Sequence, residues 1–117
     1  MGAPVLHFDI GCRDREKVGA FYRDLLGWTL SPANDLSSEV DTGSGEGING
    51  AITSLGHEPH NYVMIYATVE DVEASMEQVK ELGGQVDLGP VPVPGRGRFA
   101  WCKDPDGNLF GLWQNES

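Results

Sequence analysis

Apolar and polar residues alternate from Val5 to Ile10, with Leu6, Phe8 and Ile10 on one side and Val5, His7 and Asp9 on the other. A period of two is the mark of a strand with one face buried. From Arg13 to Leu26 the period lengthens. Val18, Phe21, Tyr22, Leu25 and Leu26 recur at helical spacing, Asp14 stands where an N-cap belongs, and Gly27 follows the last periodic residue. Trp28 opens another strand. After a passage rich in turn formers, short strands are expected at Ser38–Thr42 and Ile48–Leu55. The order then starts again. Tyr62–Val69 reads as a strand, and Glu70-Asp71 opens a helix with the stripe Val72, Met76, Val79 and Leu82. Gly83-Gly84 ends that helix, Gln85–Leu88 reads as a strand, and Gly89–Gly97 reads as a proline- and glycine-rich passage.

The chain closes on a hairpin. Asp104-Pro105-Asp106-Gly107 has aspartate, proline and glycine at the first, second and fourth positions that suit a type I turn. Phe99–Trp101 precedes it, and Leu109, Phe110, Leu112 and Trp113 follow.

A shift of 57 residues lays the first half on the second without a gap. Leu6, Phe8, Ile10 and Cys12 fall on Val63, Ile65, Ala67 and Val69, while Asp14 falls on Asp71, Leu25 on Leu82 and Gly27 on Gly84. A strand, a helix and its glycine stop are therefore repeated. The expected fold is α+β, one domain over residues 1–117, with two tandem βαβββ modules at about 4–55 and 60–115.

Composition narrows the classes of function. Eighteen acids against eight bases leave a net charge of −10 across 117 residues. Nucleic-acid binding needs a basic footprint, and Arg96 with Arg98 is a pair rather than a patch. No apolar run approaches the roughly 20 residues of a membrane span, and the first ten residues lack the features of a signal peptide. Two cysteines, Cys12 and Cys102, make no disulfide framework and read as inert buried thiols. A cytoplasmic protein is expected, with neither nucleic acid nor membrane as partner.

The strings HFDI, AFYRDLLGW, VEDVE, ELGG, DPDGN and GLWQ, in that order across nearly the whole chain, resemble the vicinal oxygen chelate superfamily. That group contains glyoxalase I, fosfomycin-resistance enzymes, extradiol dioxygenases and bleomycin-binding proteins. The nearest likeness is to small bacterial proteins described as related to lactoylglutathione lyase. The resemblance implies curved sheets enclosing a cavity, with helices outside. It also implies a divalent metal held by residues of the first and fourth strands of each module.

Carried over residue by residue, His7 matches the first-strand ligand position. The equivalent second-half position is Met64, the terminal carboxylate position falls on Gly111, and Asn49 and Ala51 face inward on the first module's last strand. One imidazole does not make the three or four ligands that a metal centre takes, so a divalent metal is disfavoured and the cofactor stays unknown. His7 and Asp9 share a face and are the candidate acid–base pair. Asn49, Met64, Tyr66, Trp101, Gly111 and Trp113 are the candidate ligand-lining residues, with Gly111 expected to leave room for part of a ligand. His57-Glu58-Pro59-His60 reads as linker, since Pro59 disfavours the helix that a zinc motif of this kind needs.

The leading expectation is a small-molecule binder using the inter-module cavity without a conventional metal centre. The alternatives are a metal-dependent lyase, isomerase or dioxygenase of the same superfamily that uses His7, and a dimeric interaction protein with a vestigial cavity. A homodimer is expected, because a short chain with three tryptophans suits an apolar interface.

Overall fold

A computed structural model describes residues 2–56 and 59–117. His57 and Glu58 of the histidine-containing linker lie outside the described residues. The elements run β1 Val5–Gly11, α1 Arg15–Leu26, β2 Thr29–Pro32, β3 Ser37–Asp41 and β4 Asn49–Thr53. They continue as β5 Tyr62–Thr68, α2 Val72–Glu81, β6 Gln85–Val93, β7 Gly97–Lys103 and β8 Leu109–Asn115. This is βαβββ twice, the α+β architecture that the repeat predicts. The chain divides into two compact units, His7–Met64 and Ile65–Ser117, the latter joined by the N-terminal residues through Leu6.

In the His7–Met64 unit, β2 pairs with β3 and β3 with β4, both antiparallel, and β4 pairs parallel with β1. Asp14 caps α1 by accepting from the Lys17 N–H at 3.1 Å. Gly27 ends the helix in the left-handed conformation (φ 74°) and returns its N–H to the Arg23 carbonyl. The core holds Ile10, Cys12, Val40 and Ile52, with Phe8, Val18, Tyr22, Trp28 and Leu30 packed against it.

The expected stripe on α1 is too wide. Phe21 and Leu25 are 59% and 64% exposed, and Leu26 also faces water. The reason lies at Gly19, the buried residue of the helix, where a Cβ would come 2.8 Å from Leu30 Cδ1. The helix seats on β2 at Gly19, and at 3.6 residues per turn Phe21 points away from that contact.

In the Ile65–Ser117 unit, β5 pairs parallel with β8, β8 antiparallel with β7, and β7 antiparallel with β6. Asp71 caps α2 through the Ala74 N–H, and Gln114 Oε1 accepts from the Val72 N–H at 2.8 Å. Val72, Ala100, Cys102 and Leu112 form the core with Met76, Val79, Val86 and Phe110 around them. Leu82, expected on the same stripe, ends the helix and is exposed.

The first part of the passage after Leu88 is strand: β6 runs on to Val93, and residues 94–96 turn into β7. Val91, Pro92 and Val93 pair with Phe99, Arg98 and Gly97, with irregular register between Val86 and Val91. Within this unit β6 is paired on one side only, so its prolines, which lack an N–H, need not interrupt a ladder. The final turn forms as expected: Gly107 N–H donates to the Asp104 carbonyl at 2.9 Å.

Candidate functional site

Strand register defines what each sheet presents on the face opposite its helix. In the His7–Met64 unit the rows are His7 with Asn49, Asp9 with Ala51, and Gly11 with Thr53. β3 adds Glu39 beside Ala51 and Ser37 beside Thr53. This face is polar, whereas the alternate residues Phe8, Ile10, Val40 and Ile52 enter the core.

His7 Nε2 lies 2.9 Å from Asp9 Oδ1. The carboxylate is nearly buried, the imidazole about half exposed. Two residues on, Gly11 lies under the ring of Tyr62, which occupies the place a side chain would take. The Tyr62 hydroxyl is hydrogen bonded to Thr53 Oγ1 at 2.7 Å. Burial pushes the Tyr62 phenol above its ordinary value; the Thr53 hydrogen bond opposes this, and the charges of Asp9 and Cys12 add to the rise. Tyr62 therefore stays a neutral phenol beside a carboxylate. Sequence reading sets Tyr62 near the aromatic wall of Trp101 and Trp113, not over Gly11, and gives Thr53 and Glu39 no site role. A glycine ending a strand two residues past Asp9 was the available signal, since strand glycines mark close approach of another group.

Asn49 sits in register with His7, but its Oδ1 accepts from the Thr42 N–H at 3.0 Å and so helps close the β3–β4 loop. Met64 is buried. Among the described residues, no three of histidine, cysteine, aspartate and glutamate gather in the way a metal ion requires.

In the Ile65–Ser117 unit the register sets Tyr66, Gly111 and Trp101 in one row. Gly111 leaves no vacant space, contrary to expectation. The Tyr66 ring lies where a Cβ would be, and Trp101 Nε1 donates to Tyr66 Oη at 2.7 Å. With no side chain between them, the two aromatics meet. In the next row Thr68, Trp113 and Phe99 stand side by side, and Trp113 Nε1 donates to Asn115 Oδ1 at 2.7 Å.

A separate groove of about 280 Å³ is lined by Pro92, Val93, Pro94, Arg98, Gln114 and Glu116, among others. None of the expected site residues lines it. The Arg98 guanidinium there is already engaged, by Glu73 at 2.7 Å and Gln114 at 3.3 Å.

The model of the glyoxalase/bleomycin resistance protein/dioxygenase superfamily matches residues 5–112. The chain belongs to this superfamily. It is 31% identical to a probable lactoylglutathione lyase of Vibrio cholerae, over 96% of this chain and 91% of that protein. It is 30% identical to the anthracycline biosynthesis protein DnrV of Streptomyces peucetius, over 97% of this chain and 47% of that one. The chain thus spans about half the length of DnrV. Among solved structures, the Mn(II)-bound glyoxalase from Novosphingobium aromaticivorans aligns with a TM-score of 0.68 at 21% identity, covering 97% of this chain and 39% of that one. That likeness is one of fold.

Enzymes of the superfamily imply a divalent metal, and the donor set here does not fit one. Ala51 carries no donor, the Asn49 oxygen is occupied by the Thr42 N–H, Met64 offers a thioether, and an aromatic ring covers Gly111. No helix among the described residues is long and apolar enough to cross a membrane.

Proposed function

We propose that this superfamily member binds a small organic molecule and holds no divalent metal of the superfamily's usual kind. The observation that carries the reading is the Tyr66 ring over Gly111. A carboxylate introduced at position 111 would have to displace a buried ring that is hydrogen bonded to Trp101. The polar face supplies orientation instead, through the His7 imidazole held on the buried Asp9 carboxylate. Elemental analysis of the purified protein and calorimetric titration with Mn²⁺, Ni²⁺, Zn²⁺ and Fe²⁺ test it. The expected result is no stoichiometric ion. One tightly held ion per chain, lost on His7→Ala, overturns the proposal.

A second reading is catalytic, and the 2.9 Å His7–Asp9 contact favours it. With Nε2–H donating to the carboxylate, Nδ1 carries the lone pair and the ring is set for acid–base work. On this reading the chain is a lyase or isomerase that moves a proton without metal assistance. Conversion of the methylglyoxal–glutathione adduct, retained after chelation and lost in His7→Ala, supports the second reading over the first. The partner we propose besides the ligand is a second copy of the chain. It is supported by large apolar side chains left in water, Phe21 and Leu25 on α1 among them. Light scattering that returns the monomer mass across the micromolar range overturns that part.

A further inference from the structure

In the Ile65–Ser117 unit, the face opposite α2 is built of aromatic rings laid on glycines. Tyr66, Gly111, Trp101 and Leu88 form one row, and Thr68, Trp113, Phe99 and Val91 the next. The Tyr66 ring covers Gly111; a Cβ at Gly97 would meet the Gln114 carbonyl oxygen first and then Trp113 Cζ2, at 2.9 Å. A strand glycine lets a neighbouring ring lie against the backbone, which leaves the ring's other face turned away from the sheet.

The chemistry of this face is restricted. Both indole N–H groups already have protein acceptors, Tyr66 Oη for Trp101 and Asn115 Oδ1 for Trp113. Neither row contains a charged residue, although the chain carries a net charge of −10. Tyr66 and Trp101 are buried, whereas Phe99, Trp113 and Val91 are only half-buried and Leu88 is 46% exposed. The floor is therefore closed, and the accessible ledge is Trp113, Phe99, Val91 and Leu88. Such a surface repays desolvation of a flat apolar ring, while a charged group finds nothing there to replace its water.

We propose that this ledge binds an uncharged planar aromatic molecule by stacking on Trp113 and Phe99, with the Tyr66–Trp101 bridge as its fixed floor. The proposal rests on the small-molecule reading above and names the ligand's chemical class.

Calorimetric titration of the full chain with 2-naphthol, its saturated and non-planar counterpart trans-decahydro-2-naphthol, and 2-naphthoate tests it. We expect 2-naphthol to bind at least tenfold more tightly than the decahydro compound and at least fivefold more tightly than the carboxylate. Trp113→Leu is expected to weaken 2-naphthol at least tenfold while leaving the decahydro compound within twofold. Phe99→Leu serves as a second variant, and circular-dichroism melting confirms that each variant is folded. Equal affinities for the planar and saturated compounds, tighter binding of the carboxylate, or wild-type affinity in both folded variants overturns the ledge. Loss of 2-naphthol binding in His7→Ala with both ledge variants unaffected also overturns it, and leaves the small-molecule reading standing. Retention in His7→Ala with loss in Trp113→Leu supports the ledge.

Discussion

Tyr66 Oη accepts from Trp101 Nε1 at 2.7 Å across Gly111, the residue that stands between them in the strand register. The two side chains come from strands that do not pair with each other. They touch because the strand between them has no side chain at that row. Both are almost fully buried, at 7% and 6% exposure, so the hydrogen bond satisfies an indole donor that would otherwise be costly to bury.

Gly111→Ala is therefore expected to destabilise the fold. The added methyl meets the Tyr66 ring, which must move and release Trp101. Overpacking of this kind costs about 1–3 kcal/mol. Urea denaturation followed by tryptophan fluorescence reads the loss, and an unchanged midpoint would show that the ring has another place to go.

The His7–Asp9 pair supports a smaller expectation. His7→Ala removes one partner from a nearly buried carboxylate and costs on the order of 1 kcal/mol, the low end of the range because the imidazole is half exposed. Asp9→Leu at the same site removes the carboxylate and its need for partners together. It should cost less than Asp9→Ala, which leaves a void as well. A denaturation series with the order of the two Asp9 variants reversed contradicts the view that Asp9 is held by polar partners.

Much of the fold was legible because the determining interactions are local. Asp14 and Asp71 cap helices three residues ahead of the N–H groups they accept from, and Gly27 ends a helix within one turn of its carbonyl partner. The repeat was legible because the same local signals recur at a constant shift. The site was harder to read, since its contacts depend on register between distant strands. Tyr62 over Gly11 and Tyr66 over Gly111 follow from which residues stand opposite, and that is set by whole-sheet pairing. Each strand glycine could be seen, but the ring that fills it could not be named. Gly89 to Val93 misled for the opposite reason: proline argues against a strand only where both sides of the strand pair.

Alkaline pH should act through Tyr62. Its folded-state pKa is raised first by burial and further by the charges of Asp9 and Cys12, against the pull of Thr53. A raised value means that the folded state holds its proton more tightly than the unfolded one. The stabilisation is whole below the ordinary tyrosine value of 10.0 and is lost as pH rises through the folded value. Thr53→Val removes the opposing hydrogen bond, so Tyr62 should ionise at still higher pH. Absorbance titration near 295 nm, with Tyr62→Phe to assign the late-ionising phenol, checks this. A Tyr62 that ionises at 10 or below in the native protein refutes it.

Both thiols are buried, and Cys102 is pushed up to about 11 by burial, with the Asp87 charge adding to the rise. Only the thiolate attacks an alkylating agent, so at pH 8 Cys102 presents a negligible reactive fraction. Iodoacetamide at pH 8 should leave it unmodified in the folded protein and label it promptly in 6 M guanidinium. Mass spectrometry of the peptide carrying Cys102 reads the difference, and equal labelling in the two conditions contradicts the assignment.

The Asp104 turn makes the last expectation, at the acid end. Its carboxyl is held below the ordinary value of 3.8, chiefly by the Asn108 side chain, which donates to Oδ2 at 2.9 Å. The backbone N–H of Asn108 and that of Asp106 both donate to Oδ1, also at 2.9 Å. These donors prefer the ionised carboxylate, so the turn gains stability from the charge rather than from burial. A lowered value means that the contribution is present above pH 3.8 and fades as pH falls through the folded value. Asn108→Ala removes the largest cause. The variant should therefore be less stable than wild type at pH 7, with the gap narrowing steadily between pH 4 and pH 2.5. Asp104→Asn keeps the side-chain size and removes the titration, so its stability should show no such acid-dependent step from this turn. Urea midpoints for the three proteins at pH 7, 4, 3 and 2.5 decide the matter. A gap between wild type and Asn108→Ala that stays constant down to pH 2.5 would mean that Asn108 supports the hairpin by shape alone and that the Asp104 charge has no part in holding the turn.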